Sequence, residues 1–210
     1  MKRPIDLATW NRREHFEFFS AMDEPFHGLV VNLDCTATYV HCRAKKQAFF
    51  LTYLHKILCA VNATAPMRQR IEAGKPVEFD AVHCNVTVAR PDGTFGFCSI
   101  DFDADFSRFV AVAQVAMARV RESTGLGLKG TTVRSNEIHF SALPGVRFTG
   151  LTHARSYGGY GAEPKISVGQ IFQDQGRWWM PVAVFVHHGL VDGQHVADFL
   201  ARTQTLFDAP

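Results

Sequence analysis

The order of periodic segments along this 210-residue chain predicts an α+β layered fold, a mixed β-sheet covered by helices, in one domain over residues 1–210. Three observations carry that expectation. Helical and strand-like segments do not alternate strictly; runs of strands separate the later helices, so a doubly wound parallel sheet does not fit. Apolar residues make up 47% of the chain and charged residues 20%, the balance of an ordinary packed globule. A chain this long also buries a substantial core without help from disulfides or metals.

From the N-terminus, residues 11–22 read as a short helix that buries Phe16, Phe19 and Met22. Gly28 to Thr36 follows as a strand. Between Arg43 and Ala63, Phe50, Tyr53, Leu54, Ile57, Leu58 and Val61 recur with i, i+3, i+4, i+7 spacing, which is one face of a long helix. Val77 to Arg90 and Phe95 to Asp101 read as strands of alternating or β-branched residues. Asp105 stands at an N-cap position ahead of Phe106, Phe109, Val110, Ala113, Met117 and Val120, and the loop Gly125 to Gly130 ends that helix. Asn136 to Leu143, Lys165 to Phe172 and Arg177 to Val186 complete six strands. Val196, Phe199, Leu200, Thr203, Leu206 and Phe207 mark a last amphipathic helix.

The formal net charge is +2 and no block of like charges occurs, which argues against a nucleic-acid partner. The five cysteines (Cys35, Cys42, Cys59, Cys84, Cys98) show no CxxC spacing and lie in apolar segments, so they read as reduced core thiols. Residues 1–16 lack the apolar run of a signal peptide, and no stretch approaches the roughly 18–20 apolar residues that span a bilayer. A cytoplasmic protein with no membrane partner is expected.

The segment WWMPVAVFVHHGLVDGQHVADFL is the informative one: an apolar strand runs into His187 and His188, with Asp192 and Gly193 just before the last helix. In a chain of this composition HHxxxDG is expected by chance about 0.002 times. Chemistry often sits at such a junction. Adjacent strand residues point to opposite faces, so one histidine serves a pocket and the other the scaffold. A bland reading makes both hydrogen-bonded core residues. A metal reading would use His188, Asp192 and His195, but that spacing matches no common zinc or iron pattern. His195 reads as structural. Ser141 in HFSALPG suggests a serine hydrolase only weakly, because no GxSxG elbow surrounds it. Gly125 to Gly130 satisfies GxGxxG but follows a helix and precedes a strand, the reverse of the dinucleotide context, and Tyr157 to Ala162 reads as a glycine-rich connection.

HHGLVDGQHVADFL, from His187, resembles the active-site signature of the chloramphenicol acetyltransferase family. The likeness extends along the chain: Trp10 to Phe16 resembles the family's N-terminal tryptophan, arginine and Glu-His-Phe run, Met67 to Val88 its central segment, and SALPGVRFT from Ser141 its Ser-Ala-x-Pro-Trp block. This resemblance implies a chloramphenicol acetyltransferase-like layered fold, a homotrimer, and a site between neighbouring subunits. His188 would come from one subunit and acceptor-binding residues largely from the next. It implies acetyl-CoA as cosubstrate and no metal. Matched residue by residue, His188 is the general base, Ser141 the oxyanion-stabilising hydroxyl, and Asp192 a structural carboxylate partnered by Arg12. Phe18, Phe19 and Ser167 fall at acceptor-pocket positions. The implied activity is O-acetylation of chloramphenicol, or of another small hydroxyl or amine compound; a catalytically silent ligand-binding member would be favoured had His188 or Ser141 been lost.

The chemistry is consistent with these roles. Acyl transfer from a thioester to an alcohol needs the alcohol deprotonated as it attacks, which neutral imidazole does near pH 7, and needs a donor at the developing oxyanion. An arginine–carboxylate fork of two parallel hydrogen bonds between Arg12 and Asp192 is expected to clamp the N-terminal segment to the catalytic loop. Departures from the family pattern fall at both ends of the site: Gly145 replaces the tryptophan of the Ser-Ala-x-Pro block near the coenzyme end, Gln170-Ile171 replaces a Lys-Tyr pair, and in the acceptor pocket Phe19 stands where drug-acetylating members often carry tyrosine. Two related groups fit less well. The dihydrolipoyl acyltransferase core usually shows His-Arg in place of His187-His188, and peptide-synthetase condensation domains are about twice this length.

Overall fold

A computed structural model describes residues 1–127, 134–155 and 161–210. Among them the chain begins with β1 (Lys2–Pro4), α1 (Arg13–Ser20), β2 (Phe26–Asp34), α2 (Thr36–Lys45) and α3 (Phe49–Ala63). The middle of the chain holds β3 (Gln69–Glu72), β4 (Lys75–Phe79), β5 (His83–Ala89), β6 (Phe95–Ile100) and α4 (Phe106–Glu122). The rest is β7 (Glu137–Leu143), β8 (Lys165–Gly169), β9 (Phe172–Asp174), β10 (Arg177–His187) and α5 (Gly193–Asp208). The large sheet runs β2-β10-β8-β7-β5-β6 with β9 beside β10, and β1-β4-β3 form a small second sheet. β7 pairs in parallel with both β5 and β8, whereas the other pairings are antiparallel, so the sheet is mixed as predicted.

Alternation divides the large sheet into two unlike faces. Val86, Ile138, Phe140, Ile166, Val182, Val184 and Val186 point one way and are buried in one cluster with Leu54, Ile57 and Leu58 of α3 and Val196, Phe199 and Phe207 of α5. Each such side chain contributes about 1.5–3 kcal/mol by leaving water. Asn85, Thr87, His139, Ser141, Lys165 and Ser167 point the other way. The segment after Pro144 returns over that face, where His153 meets Phe185 edge-on and Arg155 lies over Phe26.

Several expected elements are subdivided, each for a local reason. The helix read over Arg43–Ala63 is two helices, because Lys46 adopts a left-handed conformation (φ 54°) that closes α2. Val77–Arg90 is two strands in different sheets. The Asn62 side chain takes both the N–H and the carbonyl of Val82, replacing ladder bonds at the break. Lys165–Phe172 is also split: the Gln170 N–H donates to the Val146 carbonyl, and a Cβ at Gly169 would stand 2.8 Å from that oxygen. The short β1 and β3 were not expected. In α1, Phe16 is buried as expected, but Met22 lies beyond the helix and is exposed. Asp105 caps α4 by accepting from the Arg108 N–H. The expected loops Gly125–Gly130 and Tyr157–Ala162 lie partly outside the described residues. The cysteines are free, and all but the half-buried Cys59 are buried. No helix among the described residues is long and apolar enough to cross a membrane.

Candidate active site

β10 delivers the HHxxxDG segment. It is the longest strand, paired with β2 along nine positions from Trp179 to His187. Pro181 stands where β10 changes partner from β9 to β8, so no ladder bond is required of it on that edge. Beyond the strand the chain turns tightly: the N–H groups of Leu190 and Val191 both donate to the His187 carbonyl. Gly189 is needed in that turn, because a Cβ there would press on the His187 ring and on the backbone of Phe16.

The two histidines divide as alternation requires. His187 is buried on the face of Phe26, with Nδ1 accepting from the Gly189 N–H. Burial, with a smaller effect from neighbouring His188, pushes its pKa down to about 4. It is the scaffold. His188 continues the other face, and its N–H is anchored on the Pro25 carbonyl. Its imidazole stacks on Phe19 with centroids 3.8 Å apart and planes within 2°, and touches the His27 ring at 4.3 Å. Nδ1 is enclosed with no hydrogen-bond partner among the described residues, so Nε2 is the nitrogen available for proton transfer.

Asp192 holds the loop in place. Its Oδ1 accepts from the N–H groups of Gln194 and His195 and caps α5, while the His195 ring accepts from the Asp192 N–H to complete a capping box. His195 thus serves the helix start. Oδ2 pairs with Arg12 Nη1, and Arg12 Nη2 reaches the His188 carbonyl at 3.4 Å. The expected two-pronged fork is therefore a single carboxylate contact plus a carbonyl contact, with Nε buried and without a partner among the described residues. The cause is the cap: one carboxylate oxygen is already committed to α5.

Asp192→Asn should keep the cap, since asparagine caps as well as aspartate, yet lose the ion pair. With the arginine side chain 13% exposed and the aspartate 31%, the expected loss is about 1–3 kcal/mol for Asp192→Asn or Arg12→Ala. The double mutant should lose less than the sum of the two. Burial raises the Asp192 pKa, but the His195 N–H and Arg12 outweigh it, so the folded value lies below the ordinary one. The stabilisation is thus complete above the ordinary carboxylate value near pH 4 and disappears as pH falls through the lower folded value. Melting curves of wild type and Asp192→Asn should converge in acid; additive losses or a pH-independent gap would remove the interaction.

Ser141 lies elsewhere. It is half-buried on β7 on the second face of the sheet, with Oγ 3.5 Å from Thr87 Oγ1. It pairs across to Ser167, which pairs across to Ala183. Two strand spacings and five residues along β10 separate Ser141 from His188, on the order of 20 Å. Ser167, paired across from Ser141, belongs to the Ser141 half; it is fully buried, and its Oγ has no partner among the described residues. Phe18, 63% exposed, and Phe19 join the His188 half. The positions named from the sequence thus form two groups on opposite faces. Beside the Ser141 group a cavity of about 620 Å³ opens toward the end of α4, lined by Phe97, Ser99, His139 and Arg119 among others. Phe97, Ser99, His139 and His27 carry no motif; only their strand parity marks them.

A sequence profile described as chloramphenicol acetyltransferase matches residues 2–204. The chain belongs to the chloramphenicol acetyltransferase family. It is 29% identical to a chloramphenicol acetyltransferase of Streptomyces acrimycini, over 99% of this chain and 94% of that protein. It is 30% identical to chloramphenicol acetyltransferase 3 of Escherichia coli, over 96% and 95%. A solved chloramphenicol acetyltransferase structure superposes with a TM-score of 0.90 at 27% identity, covering 99% of this chain and all of that one. As a family member the chain is an acyltransferase with the α+β layered fold, and the family resemblance read from its motifs is borne out.

Proposed function

We propose that the chain transfers the acetyl group of acetyl-CoA directly to a hydroxyl of chloramphenicol, in a homotrimer whose sites each draw on two copies. His188 is the general base and Ser141 the oxyanion donor. The observation that carries the reading is the separation of the two: about 20 Å and opposite sheet faces divide them within one chain, so they serve one reaction only when a second copy brings its Ser141 to His188.

The acceptor hydroxyl gives its proton to His188 Nε2 as its oxygen bonds to the thioester carbonyl carbon. Negative charge develops on the carbonyl oxygen, where the Ser141 hydroxyl donates. Collapse breaks the carbon–sulfur bond, and the thiolate takes the proton back from the imidazolium. The products are an acetyl ester and free coenzyme A, with no acyl-enzyme between them. Phe18 and Phe19 supply an apolar wall beside the base, and the unpaired Ser167 hydroxyl suits a polar contact to the acceptor or to a water that touches it. On this reading residues 1–210 are one catalytic domain, acting in the cytoplasm.

A different hydroxyl or amine acceptor is the second reading. It is favoured by the changed acceptor-side positions, Phe19 where tyrosine is common and the fully buried Ser167, whose hydroxyl has no partner among the described residues. Thiol release from acetyl-CoA, followed first with chloramphenicol and then over a panel of alcohols and amines, separates the two. Acetylated chloramphenicol is the expected product. Release with another acceptor alone would select the second reading, and release with none would overturn acetyl transfer and leave a binding protein.

A further inference from the structure

His27 touches the reacting imidazole and has no place in the mechanism above. It sits on β2 opposite Val186, which puts it on the face of His188 rather than with Phe26 and His187. Its Nε2 lies 3.1 Å from the Val191 carbonyl oxygen. A carbonyl only accepts, so Nε2 carries the proton and the ring is tied to the loop that bears His188 and Asp192. Burial, opposed by that hydrogen bond and aided by nearby His188, lowers the His27 pKa, so the ring is neutral near pH 7.

The rings of Phe19 and His27 both contact that of His188. A base of this kind is ordinarily oriented by a hydrogen bond from its other nitrogen to a carboxylate or carbonyl. Here His188 Nδ1 has no such partner among the described residues, and the nearby Asp192 oxygens are taken by Arg12 and the start of α5. Orientation falls to the two rings. Phe19 is held only by packing, whereas His27 is pinned to the loop by its own hydrogen bond.

We infer that His27 is a positioning residue for His188: anchored on the Val191 carbonyl, it fixes the rotamer in which Nδ1 is enclosed and Nε2 faces the acceptor. The inference rests on His188 being the base. His27→Ala removes ring and tether, His27→Phe keeps the ring, and His27→Gln keeps an N–H donor, so at least one variant retains most of the packing. Each is compared with His188→Ala for kcat and KM, and by ¹⁵N NMR of the His188 ring.

His27→Ala should lower kcat on the order of 10-fold through misplacement of the base, with KM nearly unchanged. The His188 nitrogens should pass from one tautomer to an averaged pair, and His27→Phe, which keeps the ring but loses the tether, should recover kcat only in part. Unchanged kcat and ring signals in all three variants, beside an inactive His188→Ala, would overturn the role of His27 alone. So would a change confined to KM, which would make His27 an acceptor contact. Full activity in His188→Ala would overturn the base assignment itself.

Discussion

Replacing His188 by alanine is expected to lower turnover by roughly 10²- to 10⁴-fold, the range for loss of a general base. No neighbour can take over. His187 faces the other side of the sheet, accepts from Gly189, and has its pKa pushed down to about 4, too weak a base to activate an alcohol. His27 is turned toward Val191, and both Asp192 oxygens are engaged. The fold should survive, because the loop is held by the Pro25 carbonyl, the His187 turn and the α5 cap, none of which uses the His188 ring. Thiol release and thermal melting on the same preparation check both halves. Near-normal release from a folded mutant would contradict the assignment, and a large fall in melting temperature would make His188 part of the core.

The sequence was most legible where one segment carries both periodicity and chemistry. β10 running into the cap of α5 was readable from an apolar run, two histidines and an Asp-Gly pair, and α4 from its Asp105 cap and i, i+3, i+4 stripe. Boundaries failed where a group distant in sequence, side chain or backbone, makes the break. Asn62 ends the ladder at Val82, and the Val146 carbonyl divides β8 from β9, so neither break has a signal in the strand itself. Lys46 in a left-handed conformation is a similar case, since lysine gives no warning of a helix end as glycine would.

The site divides along the same line. Asp192 and Arg12 were legible as partners, but the fork was not realised, because the demand of α5 for a cap is a local fact competing with a long-range one. His27 was invisible: a histidine at an ordinary strand position gains meaning only when pairing with Val186 puts it beside His188. The separation of Ser141 from His188 is likewise a property of register and strand order, which sequence spacing does not contain.

That separation permits a decisive mixing experiment. Ser141→Ala should cost on the order of 10²-fold in kcat through loss of an oxyanion donor, and His188→Ala at least as much, so each parent is nearly inactive. When the two variants are co-expressed in equal dose, a site that draws its histidine from one copy and its serine from the next is intact whenever the first is the Ser141 variant and the second the His188 variant. With random assembly, roughly a quarter of the sites meet that condition. Thiol release from acetyl-CoA with the best acceptor should then recover to about a quarter of wild type per site, far above either parent. Activity equal to the mean of the two parents, in oligomers shown by sedimentation to contain both, would contradict a shared site and with it the pairing of His188 and Ser141 in one reaction.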